Sequence, residues 1–383
     1  MDFGAIYKKL VGTGMQKQIL FLFLDFIFGK KNMEIKRISH ILDKSAMKSF
    51  GLLPDNEEIL SFELCNKNGM KAQIINYGAT LTSLQIPVAT VGLVDVVLGF
   101  DTLQSYLASY NLPSAPYFGT TVGRYAGRID KGAFALNDKT FQLNTNSNGN
   151  ALHGGNVGFG QKIWNITHIT SGDNPSLTLS LLSEDLEEHY PGALQVDLTY
   201  TLTEENELKL EYTATSTKDT VVNLTHHSYF NLDGHDADLS NQMLFIDSYE
   251  ILETNAENIP TGNFIALSQH DFDFRVLKKC PESIDNSFVI ESENKVAAIL
   301  SSAKNNLQMK VFTNQPSVHI YVGGNCFNTL KGKENATYHP FSGICFETQN
   351  FPDAPNHRHF PNSVLKKGET YHHKTLYQFE NIN

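Results

Sequence analysis

Cysteine is scarce in this sequence of 383 residues, and the few cysteines lie far apart. They are Cys65, Cys280, Cys326 and Cys345, and no CxxC pair occurs among them. Zinc sites and thiol redox motifs use closely spaced cysteines, and disulfide frameworks belong to short, cysteine-rich chains. We therefore expect no metal site, and we expect buried, reduced thiols in a reducing compartment.

Positive charge is scarce as well. The chain has 30 Lys and Arg against 41 Asp and Glu, a formal net charge of -11, and it contains no dense basic run. Nucleic-acid backbones are bound by clustered Lys and Arg, so no nucleic-acid partner is expected. Because 41% of the residues are hydrophobic and only 19% are charged, a sizeable core can form and large-scale disorder is not expected.

Long hydrophobic runs are missing too. The strongest apolar segment, residues 19–28 (ILFLFLDFIF), has about half of the ~20 apolar residues that a membrane-spanning helix needs. A signal-peptide core is an alternative, but the next residues, GKK, provide no small-residue cleavage site. We expect residues 1–55 to be an N-terminal extension of a cytoplasmic protein that does not act at a membrane. Secretion, or anchoring through residues 19–28, is the alternative.

From about residue 56 onward, apolar residues recur at every second position, which is the period of a β-strand. The clearest case is an alternating run from Leu194 to Leu202, a polar EENE turn, and a second run from Leu208 to Ala214, which predicts a hairpin. Turn clusters separate many such runs, and convincing amphipathic helices are few. The sequence predicts one all-β domain over residues 56–381, a large antiparallel sandwich or barrel.

Two adjacent histidines stand in the segment VVNLTHHSYFNL, residues 221–232. Because side chains alternate faces along a strand, His226 falls on the mainly apolar face and His227 on the mainly polar one. His227 is therefore the candidate ligand-facing histidine, and His226 is a candidate core residue. A bulge between the two would reverse this assignment.

A glutamate interrupts the apolar segment GICFETQN, residues 343–350. The alternation places Glu347 on the face opposite Ile344 and Phe346. A carboxylate is costly to bury in an apolar strand unless it is paired or takes part in chemistry, so Glu347 is a candidate general base. The alternative is a solvent-facing glutamate on an edge strand.

Three more segments offer candidate binding residues. His153 stands beside two glycines in NALHGG, where the backbone can approach a ligand closely. GRYAGRI supplies Arg124 and Arg128, and FDFR supplies Asp273 between two aromatic residues. Each has an ordinary alternative, namely a turn histidine, surface arginines and a turn or arginine-paired aspartate. The sequence contains no Ser-His-Asp order, Walker loop, GxGxxG or HExxH motif.

Taken together, these segments resemble the galactose mutarotase (aldose 1-epimerase) family. The matching stretches follow the family's order across roughly residues 56–378: NYGATLTSL, DVVLGFD, PYFGTTVGRYAGRI, LHGG, NLTHHSYFNL, IPTG, FDFR and ETQNFPDAPN. The resemblance implies a β-supersandwich of large antiparallel sheets with a sugar bound on a concave face. It also implies interconversion of the α and β anomers of free hexoses such as galactose and glucose, without a cofactor.

The resemblance implies roles for individual residues. Glu347 of the ETQ motif corresponds to the family's general base, and His227, directly before SYFNL, corresponds to its general acid. The positions that bind the sugar or shape the pocket and its shell correspond to His153, Arg128, Asp273, Gln315 and Asn76.

The sequence departs from the family pattern at three positions. His226 and Gly127 stand where the family often has Asn. The usual Asp-His pair of the family appears here as Asp285-Asn286. None of these changes removes the acid or the base, so they bear on substrate preference.

Two alternative functions stay open. One is an epimerase of a phosphorylated sugar, which needs additional Arg or Lys for the phosphate. The other is a non-catalytic sugar-binding protein of the same fold, which we would expect to have lost the acid or the base. The protein is expected to be a monomer or a homodimer.

Overall fold

The computed structural model of the chain describes residues 47–291, 295–325 and 329–382. The apolar segment 19–28 and Cys326 lie outside the described residues. Within the described part of the chain, no helix is both long and apolar enough to cross a membrane.

Strands dominate the described residues, in agreement with the period-two pattern, and these residues contain a single α-helix. In chain order the first elements are β1 (Met47–Leu52), β2 (Glu58–Cys65), β3 (Lys71–Ile75), β4 (Thr80–Val88), β5 (Gly92–Asp95), α1 (Leu103–Ser109), β6 (Thr121–Val122), β7 (Arg128–Ile129), β8 (Ala133–Leu136), β9 (Lys139–Gln142) and β10 (Ala151–Leu152). The middle of the chain forms β11 (Asn165–Thr170), β12 (Ser176–Ser183), β13 (Leu194–Leu202), β14 (Glu207–Ser216), β15 (Thr220–Val221), β16 (Thr225–His226), β17 (Tyr229–Phe230), β18 (Gln242–Ile246), β19 (Glu250–Thr254) and β20 (Pro260–Ala266). The last elements are β21 (Lys278–Lys279), β22 (Ile284–Val289), β23 (Ala298–Ser302), β24 (Leu307–Thr313), β25 (Ser317–Val322), β26 (Ile344–Gln349), β27 (Val364–Leu365) and β28 (Thr370–Asn381).

Three sheets make up the body of the fold. A five-stranded sheet has the order β1-β2-β3-β4-β5, a nine-stranded sheet the order β11-β12-β13-β14-β28-β24-β23-β18-β21, and a six-stranded sheet the order β17-β26-β25-β22-β19-β20. The hairpin predicted from the alternating leucines is confirmed, because β13 and β14 pair in an antiparallel register that sets Leu202 opposite Leu208. Short two-stranded pairs supply the remaining strands.

One continuous hydrophobic core joins these sheets. It contains Phe62 of the five-stranded sheet, Leu198 and Leu210 of the nine-stranded sheet, and Ile320 and Phe346 of the six-stranded sheet. Burial of this apolar surface is the main favourable contribution to folding. The predicted all-β supersandwich of antiparallel sheets is therefore confirmed.

The first described strand lies before the predicted start of the β domain. Strand β1 pairs with β2 and sets Met47 opposite Phe62, so residues 47–52 are part of the five-stranded sheet. The domain start predicted at residue 56 is therefore too late with respect to this sheet. The charged and polar residues 55–58 interrupt the alternating pattern, so the pattern does not extend back to this strand.

Candidate active site

A cavity of about 380 Å³ opens on one face of the six-stranded sheet. Side chains of β26, β25, β22 and β19 form its floor, and the loops at residues 110–117 and 146–156 form its walls. Such a volume fits a small polar ligand. Among the sequence-derived candidates, the cavity is lined by His227, Glu347, His153 and Arg128.

Glu347 reaches the cavity through strand alternation. Ile344 and Phe346 of β26 turn into the main core, whereas Glu347 and Gln349 line the cavity, as the pattern predicts. Glu347 is only 2% exposed, and β26 lies between β17 and β25. A solvent-facing glutamate on an exposed edge is therefore excluded.

The two adjacent histidines point in opposite directions, as predicted. His227 lines the cavity, and its Nε2 atom lies 3.5 Å from Oε1 of Glu347. His226 is buried with its Nε2 2.9 Å from the Tyr200 hydroxyl and its Nδ1 3.1 Å from Oγ of Ser228. The segment is not one continuous strand but forms the three short strands β15, β16 and β17. The side chains of its two adjacent histidines nevertheless point in opposite directions.

Aromatic rings hold His227 in place. Its ring stacks against Tyr117 at a centroid distance of 5.7 Å and against Tyr229 at 5.2 Å. Tyr117 also meets His153 edge-on at 5.1 Å. Tyr117 and His153 both adopt positive φ angles, 53° and 52°, a conformation that non-glycine residues rarely take up and that is often found at functional sites.

The glycines after His153 are required by close backbone contacts. A Cβ atom on Gly154, at φ +94°, would lie 1.9 Å from the carbonyl oxygen of Gly123. The loop can therefore pack against the Gly123 segment only if residue 154 is glycine. This contact brings His153 beside Gly127, whose backbone N–H donates to His153 Nδ1 at 3.3 Å.

This hydrogen bond sets the role of His153. In a neutral ring whose Nδ1 accepts a hydrogen bond, the proton sits on Nε2, which can then donate to a ligand oxygen. Burial, followed by the nearby charges of His227 and Arg128, lowers the pKa of His153 well below its ordinary value. His153 is thus a neutral hydrogen-bond donor at neutral pH.

The ligand atoms of His153, His227 and Glu347 all lie within 4.8 Å of one another, so these three residues could hold a divalent metal. A metal-bound imidazole normally donates its other ring N–H to an acceptor. His153 has the opposite arrangement, because Gly127 donates to it. The cluster fits hydrogen bonding to hydroxyl groups better than metal coordination.

The two arginines of GRYAGRI have different surroundings. Arg124 is 1% exposed, and its guanidinium donates to the carbonyl oxygens of Ser183, Pro191 and Gly192. Burial lowers its pKa to about 10. Arg128 is half-buried and lines the cavity, so only the second arginine is available to a ligand there.

Three of the candidates do not reach the cavity. Both carboxylate oxygens of Asp273 accept hydrogen bonds from Arg275, at 2.8 and 2.6 Å, outside the cavity. Gln315 lines a different depression, and its amide donates to Asn314. Asn76 is buried, does not line the cavity, and accepts from the backbone N–H of Leu60 at 2.8 Å. The prediction that Asp273, Gln315 and Asn76 bind the sugar is therefore corrected, since none of the three lines the cavity.

The aspartate that does face the cavity is Asp285 of β22. His319 of β25 and Gln349 of β26 line it as well, and Oε1 of Gln349 is buried without a protein partner among the described residues. These residues lie at alternating positions in the runs IDNSFV, SVHIYV and ICFETQ, so the period-two rule could have found them. The FDFR motif favoured Asp273 instead, because that aspartate stands between two aromatic residues.

Comparisons with known proteins identify the family of the chain. Residues 61–378 match the family described as "Aldose 1-epimerase". The chain belongs to the aldose 1-epimerase family. It is 36% identical to the galactose mutarotase of Sus scrofa over 341 residues, covering 86% of this chain and 97% of the relative. It is 33% identical to the aldose 1-epimerase of Haemophilus influenzae, covering 85% and 97%.

Solved structures of this family superpose on the chain. The aldose epimerase homologue from C. elegans has a TM-score of 0.77 at 29% identity and covers 84% of this chain and 99% of its own. Galactose 1-epimerase from Lactobacillus acidophilus has a TM-score of 0.76 at 26% identity, covering 88% and 98%. As an aldose 1-epimerase, the protein is an isomerase that interconverts the anomers of aldoses.

Proposed function

We propose that Glu347 is the general base and His227 the general acid of this epimerase, and that the substrate is an unphosphorylated hexose. The observation that carries the proposal is the juxtaposition of the two side chains. Their reactive atoms lie 3.5 Å apart and face one cavity, and both residues are at most 3% exposed. A separation of 3.5 Å exceeds a good hydrogen bond, so each group is free to engage the sugar.

Anomer exchange needs two proton transfers. Glu347 accepts the proton of the C1 hydroxyl while His227 donates a proton to the ring oxygen, so the C1–O5 bond breaks and an aldehyde forms. Rotation about the C1–C2 bond turns the other face of the aldehyde toward O5. The ring closes with both proton transfers reversed, which restores the acid and the base. Well-placed acid and base groups are each worth about 10²–10⁴-fold in rate.

The surroundings of His227 suit a proton donor. Burial lowers the pKa of its imidazole, and the charge of Glu347 opposes this effect only partly. A lowered pKa makes the protonated ring a stronger acid toward a weakly basic ether oxygen. The stacked rings of Tyr117 and Tyr229 hold the donor in position.

The charges of the cavity favour an unphosphorylated sugar. Among the described lining residues, Arg128 is the only Lys or Arg, and Asp285 and Glu347 are carboxylates. A phosphate needs several cationic or N–H donors and would be repelled by two carboxylates. Sugar hydroxyls, in contrast, can both donate to Asp285 and accept from Arg128 and His153.

Polarimetry of freshly dissolved α-galactose and α-glucose tests the proposal. We expect the purified protein to accelerate the decay of optical rotation in proportion to its concentration, and to act much more slowly on glucose 6-phosphate. Sugar binding without acceleration would support a non-catalytic sugar-binding protein instead. Preference for the phosphorylated sugar would support the other alternative.

A reducing, cytoplasmic location is part of the proposal. It is supported by Cys65 and Cys280, which are free thiols, the first exposed and the second buried. Such thiols persist where disulfides do not form. Fractionation of the source cells and a mass measurement of the natural N-terminus would test this location.

A further inference from the structure

His319 lies on the cavity floor beside Glu347 and has no part in the two proton transfers. Strands β25 and β26 pair in a register that sets His319 directly opposite Glu347. Residues directly opposite on adjacent strands project from the same face of the sheet, with Cβ atoms about 4.5–5.5 Å apart. The imidazole therefore lies next to the carboxylate on the floor of the cavity, which both residues line.

Both ring nitrogens of His319 have hydrogen-bond partners. Nε2 lies 2.9 Å from Oδ1 of Asp285, and Nδ1 lies 2.9 Å from Oγ of Ser287. The second oxygen of Asp285 accepts from the side-chain amide of Asn258 at 2.8 Å. A carboxylate oxygen can accept two hydrogen bonds, so Asp285 is fixed by protein groups and still has lone pairs for sugar hydroxyls.

The charges around His319 favour its protonated form. Burial alone would lower the pKa of His319, but the hydrogen bond and charge of Asp285, together with the charge of Glu347, outweigh burial and raise it. Arg128 opposes the shift, and His227 and His153 also face this group. The pKa of His153 is lowered well below its ordinary value, so this ring adds little positive charge near neutral pH.

We propose that His319, held as an imidazolium by Asp285, is a positioning residue of this active site. It fixes the Asp285 carboxylate for the hydroxyls of the sugar, and it places a positive charge beside Glu347. That charge stabilises the ionised carboxylate, which is the form that accepts the proton. A glutamine at position 319 could donate one hydrogen bond to Asp285 but could not carry the charge. The inference rests on the proposed role of Glu347 as base.

The first test reads the charge without using activity. Isotope-edited NMR of the imidazole nitrogens reports whether each ring is neutral or protonated. Near pH 7 we expect His319 to be protonated on both nitrogens, and we expect Asp285→Asn to return it to the neutral form. A neutral His319 in the unmodified protein would overturn the proposal, whether or not the protein is an active epimerase.

The second test reads the effect on the reaction. In His319→Gln we expect KM for galactose to rise by about tenfold, as for the loss of one charged hydrogen bond. We also expect the acid limb of the kcat/KM profile to move to higher pH by about one unit. His168→Gln is the matched control, because His168 is exposed on β11 and does not line the cavity.

A third variant separates the charge from the packing. Ser287→Ala removes the partner of Nδ1 but leaves the Asp285 contact, so we expect a smaller rise in KM and little change in the acid limb. A His319→Gln protein that is folded and matches the His168→Gln control in KM and pH profile would overturn the proposal. If the unmodified protein does not accelerate anomer exchange at all, the proposed function fails, and the NMR result still decides the charge of His319.

Discussion

His227 and Glu347 approach each other from two segments that are 120 residues apart in sequence, and Nε2 of the histidine lies 3.5 Å from Oε1 of the glutamate. The antiparallel pairing of β17 with β26 creates this approach. It sets Tyr229, two residues after His227, opposite Cys345, two residues before Glu347. The side-chain alternation of both segments then turns the imidazole and the carboxylate toward the same cavity.

Replacing His227, the proposed acid, should slow catalysis strongly without unfolding the protein. In His227→Asn we expect the polarimetric rate to fall by about 10²–10⁴-fold, because the ring oxygen loses its proton donor. His226→Asn is the matched control, since that ring faces Tyr200 and Ser228 rather than the cavity, and it should keep most of the activity. Similar losses in both variants would argue against a specific role for His227.

The two aspartates should differ in their effect on sugar binding. Asp285→Asn removes a carboxylate from the cavity, and we expect KM to rise by about tenfold or more, since a charged acceptor is lost. Asp273→Asn should leave KM unchanged, because that carboxylate is held by Arg275 outside the cavity. Steady-state kinetics with galactose decide between them, and the reverse pattern would restore the motif-based interpretation.

Two buried histidines should make the fold sensitive to acid. Burial lowers the pKa of His226 and of His373 to about 3, whereas an unfolded chain has an imidazole pKa of about 6.5. Between these values the unfolded state binds more protons, so stability is complete above about pH 6.5 and is lost as the pH falls toward 3.

Within this window, each of the two histidines should lower the free energy of unfolding by about 1.4 kcal/mol for each unit by which the pH falls. Urea denaturation at several pH values measures the slope. His226→Asn should reduce the slope by the equivalent of one proton, whereas the exposed His168→Asn should not change it. An unchanged slope in His226→Asn would show that this ring is already accessible to protons in the native state.

A buried ion pair stabilises the fold away from the cavity. Nζ of Lys333 lies 2.7 Å from Oδ2 of Asp95 and 2.7 Å from the carbonyl oxygen of Thr82. Lys333 and His235 hold the pKa of Asp95 well below its usual range, although burial acts in the opposite direction. The stabilisation from this carboxylate is therefore present above its unfolded pKa of about 3.9 and is lost as the pH falls below it.

Asp95→Asn should lower the free energy of unfolding by about 3–5 kcal/mol, because it leaves the Lys333 ammonium buried without its counter-ion. Asp95→Asn combined with Lys333→Met should be less destabilised than Asp95→Asn alone, because no unpaired charge is left. Urea denaturation of both single variants and the double variant gives the coupling energy. Strict additivity of the two single effects would contradict a coupled pair.

Period-two alternation was enough to predict much of this molecule. It predicted the all-β fold, the β13–β14 hairpin, and the opposite orientation of His226 and His227, because alternation is a local property of the backbone. It did not reveal which strands become neighbours. The pairing of β22 with β25 brings Asp285 to His319, and this contact depends on residues that are 34 positions apart.

The family resemblance selected His227, Glu347, His153 and Arg128, which all line the cavity, because those motifs are contiguous in sequence. It selected Asp273 instead of Asp285, since the FDFR motif is more distinctive than the run IDNSFV. The side-chain orientations distinguish the two aspartates: Asp273 accepts a hydrogen bond from Arg275, whereas Asp285 lines the cavity.

The most direct test of the central claim is the rate of anomer exchange in Glu347→Gln. The substitution keeps the size of the side chain and removes only its ability to accept the C1 hydroxyl proton. With folding verified by circular dichroism and thermal unfolding, we predict that the polarimetric decay of α-galactose falls by at least about 10²-fold from that of the unmodified enzyme. A folded Glu347→Gln protein with a rate close to that of the unmodified enzyme would contradict the assignment of the base.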